Sequence, residues 1–199
     1  MKSNVCKIEN GTKDLAAILK ESEKVAVYNE LTHKQALQLR LICEEIDGML
    51  PNIIDDFSGD FWIDFEDGVC KVNVSIRIPE FNTEKKGKLI GISKDKKNSA
   101  VAGIVGKIRD AIENLFLDDA MTDGFDMSSS FFHFSTGFSD GVDYSYLWRL
   151  NDYRYSVKKE AKADAWDELE KSVIASVADD VIVGVKGKCA DIIVVKNFA

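Results

Sequence analysis

The chain has 199 residues, 45% of them apolar, enough for one well-filled core and, at the usual ~100 to 200 residues per domain, one domain. Its formal charge of −8 and pI near 4.9 exclude a phosphate-backbone partner, since nucleic-acid binding needs a basic footprint. There is no run of ~18 apolar residues and no apolar stretch behind the N-terminal MKSNVCKIENGT, so neither a membrane-spanning helix nor a secretion signal is expected, and the reading is cytosolic.

In chain order, Ser3 to Ile8 reads as a first strand closed by Asn10-Gly11, and Thr12 caps a helix over Lys13 to Glu30 with Leu15, Ile18, Leu19, Val25 and Ala26 on its inner face. Thr32 and Gln35 have capping-box spacing and open a second helix, whose apolar stripe is Ala36, Leu39, Cys43, Ile46 and Leu50. Pro51 cannot donate to the carbonyl of Asp47, so the helix is expected to kink or restart there. The period then switches to 2. Phe61, Ile63 and Phe65, the turn pair Asp67-Gly68, and Val72, Val74, Ile76 and Ile78 predict a half-buried antiparallel hairpin, ended by Pro79.

Asn82 to Asn98 carries six lysines against Glu84 and Asp95; it is either a solvated loop or one that faces a small anion. Ser99 to Leu117 predicts a helix with Val101, Ile104, Val105, Ile108, Ile112 and Leu115 inward, and Gly103 and Gly106 within it suggest a close approach. Asp118 to Gly141 holds five aspartates, no Lys or Arg, and Phe125, Phe131, Phe132, Phe134 and Phe138. It is too aromatic for a disordered tail and reads as part of an ordered insertion at about 118–150, or as a partner-facing surface. Tyr144 to Leu150 reads as a strand. Glu160 to Ala178 predicts one amphipathic helix with Trp166, Leu169, Val173 and Val177 inward and Asp167 paired to Lys171. A terminal hairpin follows, Val181 to Val185 and Ala190 to Val195 around Gly187-Lys188.

Cys6, Cys43, Cys70 and Cys189 lack metal-ligand spacing and read as small buried hydrophobes; His33 and His133 are isolated. The expected fold is α+β: a two-layer sandwich, with a mixed, mainly antiparallel sheet and helices on one face, in a single domain over 1–199. On the second helix Glu44 falls beside Leu37, Leu41 and Gly48, a partly desolvated position suited to a general base, while Glu45 points to the opposite side. The alternative is that Glu44 pairs with Arg40.

Two stretches, LTHKQALQLRLICEEIDGML and LEKSVIASVADDVIVGVKGKCADIIVVKNF, resemble the N-box helix and the closing helix and hairpin of the GHKL or histidine-kinase-like ATPases, in the branch of the anti-sigma-factor serine kinases. A small group of uncharacterised bacterial ATP-binding proteins is closer still. The resemblance spans roughly Ser3 to Ile78 and Ala165 to Phe198. It implies a histidine-kinase-like ATPase fold in which Glu44 matches the N-box glutamate, the residue that activates the attacking group. The magnesium-holding asparagine position falls on Gly48, which has no ligating side chain, and Asn52 one turn later is its stand-in as the Mg ligand. The family's Asp-x-Gly-x-Gly stretch is replaced by Arg77-Ile78-Pro79-Glu80-Phe81.

The nucleotide pocket implied by the resemblance comprises Glu44, Gly48, Asn52, Lys94, Gly103 and Gly106, with ATP and Mg as cofactors. Two functions follow as expectations. One is a degenerate regulatory module of anti-sigma type that binds a protein partner, a second copy of itself included. The other is a nucleotide-binding protein with weak ATPase or serine kinase activity using Glu44.

Overall fold

The structure is a computed structural model that describes residues 1–10, 15–54, 56–77, 103–122, 146–160, 163–186 and 189–199. Thr12, Pro79, the lysine-rich loop with Lys94, the Ile78 to Phe81 replacement stretch, Val101, the phenylalanines and His133 of the 123–141 segment, and the Gly187-Lys188 turn lie outside these residues.

The described strands are β1 (Cys6–Glu9), β2 (Ser58–Glu66), β3 (Val69–Arg77), β4 (Tyr146–Arg149), β5 (Asp180–Lys186) and β6 (Cys189–Asn197). They form one sheet in the order β1-β2-β3-β6-β5-β4. Every pairing between them is antiparallel, where a mixed sheet was expected. The helices are α1 (Leu15–Tyr28), α2 (His33–Ile53), α3 (Ile104–Thr122), α4 (Leu150–Lys159), α5 (Ala163–Lys171) and α6 (Val173–Val177). No described helix is long and apolar enough to cross a membrane.

The β2–β3 hairpin is the part of the sheet that local sequence dictates most directly. Its register closes at Glu66 opposite Val69, leaving Asp67 and Gly68 as the two-residue loop. Both have positive φ, 49° and 78°, the type I′ pattern whose twist matches that of the strands. Alternation then decides the faces. Phe61 lies across from Val74, Val74 from Ile192, and Ile192 from Val183, so these side chains share one side of the sheet. All four are fully buried and belong to the core that also contains Ile18, Leu39, Ile46, Ile108 and Leu150 from the helices. The sandwich therefore has two layers, with the helices on this face.

α2 runs through the middle of that helical layer, packing on α1, α3 and α6. Thr32 opens it as N-cap: the Gln35 amide donates to Thr32 Oγ1 at 3.4 Å and the Thr32 amide donates back to Gln35 Oε1 at 2.8 Å. Gln35 Nε2 also donates to the carbonyl of Phe198 at 2.8 Å, and the Phe198 ring stacks on Phe65 with centroids 6.4 Å apart. The cap of the central helix is thereby tied to the end of the last strand. Leu39, Cys43, Ile46 and Leu50 are buried as expected, joined by Ile42, Met49 and Ile53, while Ala36 is only partly covered. The helix does not restart at Pro51. It continues to Ile53, and the Ile54 amide still donates to Leu50 at 3.0 Å. A proline in the last turn removes one ladder bond close to a terminus whose carbonyls lack partners anyway, so its cost stays small.

Other boundaries differ from the sequence expectation. α3 starts at Ile104, after Gly103 at φ 104°, and runs to Thr122, so residues 118–122 complete a helix and do not begin an irregular insertion. The region expected as one helix over Glu160 to Ala178 is broken at Ser172, whose Oγ accepts from the Ala175 amide at 3.3 Å and caps α6. Trp166 is 40% exposed with its indole N–H on Glu170 Oε1, not inward; Ile174 and Ala175 are buried instead.

The N-terminal strand is held by a buried carboxylate. Glu21 on α1 is 7% exposed and accepts from the Asn4 backbone amide at 3.1 Å, from Asn4 Nδ2 and from Lys24 Nζ. Burial pushes its carboxyl up, but Lys24 and the Asn4 donors outweigh burial and hold it below the ordinary value. A group depressed in the folded state contributes stability above its unfolded pKa, about 4.3 for glutamate, and that contribution is lost as pH falls through the lower folded value. The melting temperature should therefore drop in acid below about pH 4.3. In a pH series on Glu21→Gln the acid drop is expected to be shallower; an identical drop would show that Glu21 carries none of it.

Candidate functional site

Because α2 passes Pro51 unbroken, Arg40, Glu44, Gly48 and Asn52 recur at one-turn spacing along one flank. This places Asn52 on the side of the helix that carries Glu44, the arrangement the stand-in role for Asn52 requires. Asn52 Nδ2 donates to the carbonyl of Gly48 at 3.1 Å, so the side chain folds back along the helix and engages its nitrogen. The remaining Oδ1 is the only kind of atom in that side chain that a hard cation takes. At Gly48 an added Cβ would meet nothing within 4 Å; the position faces open space.

Glu44 is an ion-pair partner in this structure. Arg40 Nε donates to Glu44 Oε1 at 2.9 Å, and the same guanidinium reaches Glu23 Oε1 on α1 at 3.5 Å. The three form a Glu–Arg–Glu chain across the seam between α1 and α2. The two ends are 65% and 38% exposed and Arg40 is 45% exposed, so the chain is solvated, and each link is worth at most a few tenths of a kcal/mol, about 0.3–0.5 for an i,i+4 pair. Leu37, expected to help desolvate Glu44, is 50% exposed and faces water; Leu41 is partly buried. Of the apolar collar inferred for a general base, one wall is therefore missing.

Gly103 and Gly106 lie before and within α3, which packs on α2. Gly103 owes its identity to its positive φ, since a Cβ there would also meet open space, and the close approach expected of it is not its role. Among the described residues no group of three His, Cys, Asp or Glu side chains is placed to hold a metal ion. Cys43 and Cys70 are buried in the core, and burial pushes the Cys70 thiol up to about 12 and Cys43 further still, so both stay protonated and inert. Cys6 and Cys189 are half-buried, and none of the four is in a disulfide.

One surface was not anticipated. Val27 and Tyr28 lie at the end of α1 and Leu37 near the start of α2, two helices that pack on each other. Val27 is 80% exposed, Tyr28 72% and Leu37 50%. Val27 and Tyr28 were not among the residues that the sequence pattern singles out, and Leu37 was placed beside Glu44 as part of its apolar surroundings.

Comparison of the chain with protein-family models, with curated proteins and with solved structures finds no match.

Proposed function

We propose that this chain is a regulatory, protein-binding module on a histidine-kinase-like scaffold whose nucleotide chemistry has been lost. The observation that carries the reading is the engagement of Glu44 by Arg40 on a solvated helix flank, beside an outward-facing Leu37. A general base needs a carboxylate oxygen aimed at a proton on a bound substrate in a water-poor site. Glu44 is aimed along its own helix instead. The exposed Val27, Tyr28 and Leu37 supply the surface such a module would offer, since partner-facing patches are distinguished by aromatic and apolar side chains that lack intramolecular cover.

The test is affinity capture from an extract of the source organism, comparing the native chain with Val27→Glu/Leu37→Glu. Both sites are exposed, so the double variant should melt within about 2 °C to 4 °C of the native chain, each surface change being worth about 0.5 kcal/mol or less. Proteins retained by the native chain are expected to be lost from the variant. Retention of the same set by both would remove this surface from the account.

A second reading, Mg-ATP binding with weak hydrolysis or serine phosphorylation, is favoured by one observation: the unbroken α2 carries Asn52 about two turns beyond Glu44 on the same flank. On that reading Asn52 holds magnesium and Arg40 releases Glu44 when nucleotide enters. Both roles rest on the same helix, so one nucleotide titration separates the two readings.

A further inference from the structure

We draw no further inference here: the strongest candidate, the sheet face opposite the helices, where Trp62, Asn73, Ile193, Ile182 and Arg149 form one cross-strand row, is a face for which nothing in the structure shows what covers it.

Discussion

Phe61→Ala is expected to destabilise the protein by about 3 to 5 kcal/mol. The ring is fully buried, in register with Cys6 on one side and Val74 on the other, beneath the helical layer. Truncation removes the transfer free energy of the whole ring and leaves a cavity between two elements that cannot easily close. Strand pairing on both sides fixes the β2 backbone, and so the site has little freedom to collapse. For a domain of this size about 2 °C to 4 °C accompanies each kcal/mol, so a fall of roughly 6 °C to 20 °C in melting temperature is the expected readout. Urea titration should show a lower midpoint with an unchanged slope, which marks lost stability without a change in surface exposed. Val27→Ala, at an 80% exposed site, serves as the control and should stay within about 0.5 kcal/mol. A Phe61→Ala loss under about 1 kcal/mol would mean that the two faces of β2 have been assigned the wrong way round.

Asp180→Ala should cost about 3 kcal/mol, through charge rather than volume. Asp180 is 4% exposed and holds four donors: Arg149 Nε at 2.9 Å and Nη2 at 2.6 Å on Oδ2, the Asn151 amide at 3.1 Å and the Val181 amide at 3.0 Å on Oδ1. Its removal takes away the bidentate acceptor of a guanidinium that is only 27% exposed, and the acceptor of the Asn151 N–H at the start of α4. A partly buried charge that loses such a partner is the costly outcome, whereas removing both charges is much cheaper. The double variant Arg149→Leu/Asp180→Leu should accordingly be less destabilised than the sum of its singles, by at least about 1 kcal/mol in a double-mutant cycle. Additive losses would contradict the pairing. Amide exchange should also localise the damage, because α4 loses its cap: its first amides are expected to lose protection before those of α2.

That cap explains why α4 was not legible in the sequence. Its residues, LNDYRYSVKK, are polar, and Arg149 at the N-cap position makes no side-chain capping bond. The acceptor for the Asn151 amide is Asp180, which lies about thirty positions downstream and cannot be recognised as a cap from local spacing. Arg154 does the converse for α6, donating to the carbonyls of Ala175 and Ala178. Thr32 and Gln35, by contrast, cap within three residues of each other, and α2 begins where the capping-box pattern puts it. The β2–β3 hairpin was readable for the same reason: alternation and Asp67-Gly68 are local signals, and the strands pair with nearest neighbours in the chain. Ser172 shows the limit of periodicity. A serine inside an apolar repeat scores as a tolerated interruption, and only its bond to Ala175 identifies it as the start of a new helix.

The candidate site divides along the same line. The position of Glu44 on α2 and its pairing with Arg40 were both contained in the four-residue spacing of RLICE. The outward turn of Leu37 was legible too: at about 100° per residue it lies on the side of α2 away from Leu39, Cys43, Ile46 and Leu50, so its exposure follows from the apolar stripe itself. Pro51, by contrast, misled. Its effect depends on distance from the helix end, and the end is set by Ile54 leaving the helical region at φ −137° and ψ 126°. What remains of the nucleotide reading is therefore stereochemical: Glu44 and Asn52 share a flank, while Gly48 between them offers no ligand.

Isothermal titration of the purified protein with Mg-ATP and Mg-ADP to millimolar concentration tests the central claim, that this flank no longer serves nucleotide chemistry. No saturable heat is expected with either nucleotide, and accordingly no rise in melting temperature, where a ligand at 100 times its dissociation constant would add about 2.7 kcal/mol. Saturable binding that is lost in Asn52→Ala and Glu44→Ala but retained in Glu45→Ala would contradict the claim and establish the nucleotide reading in its place.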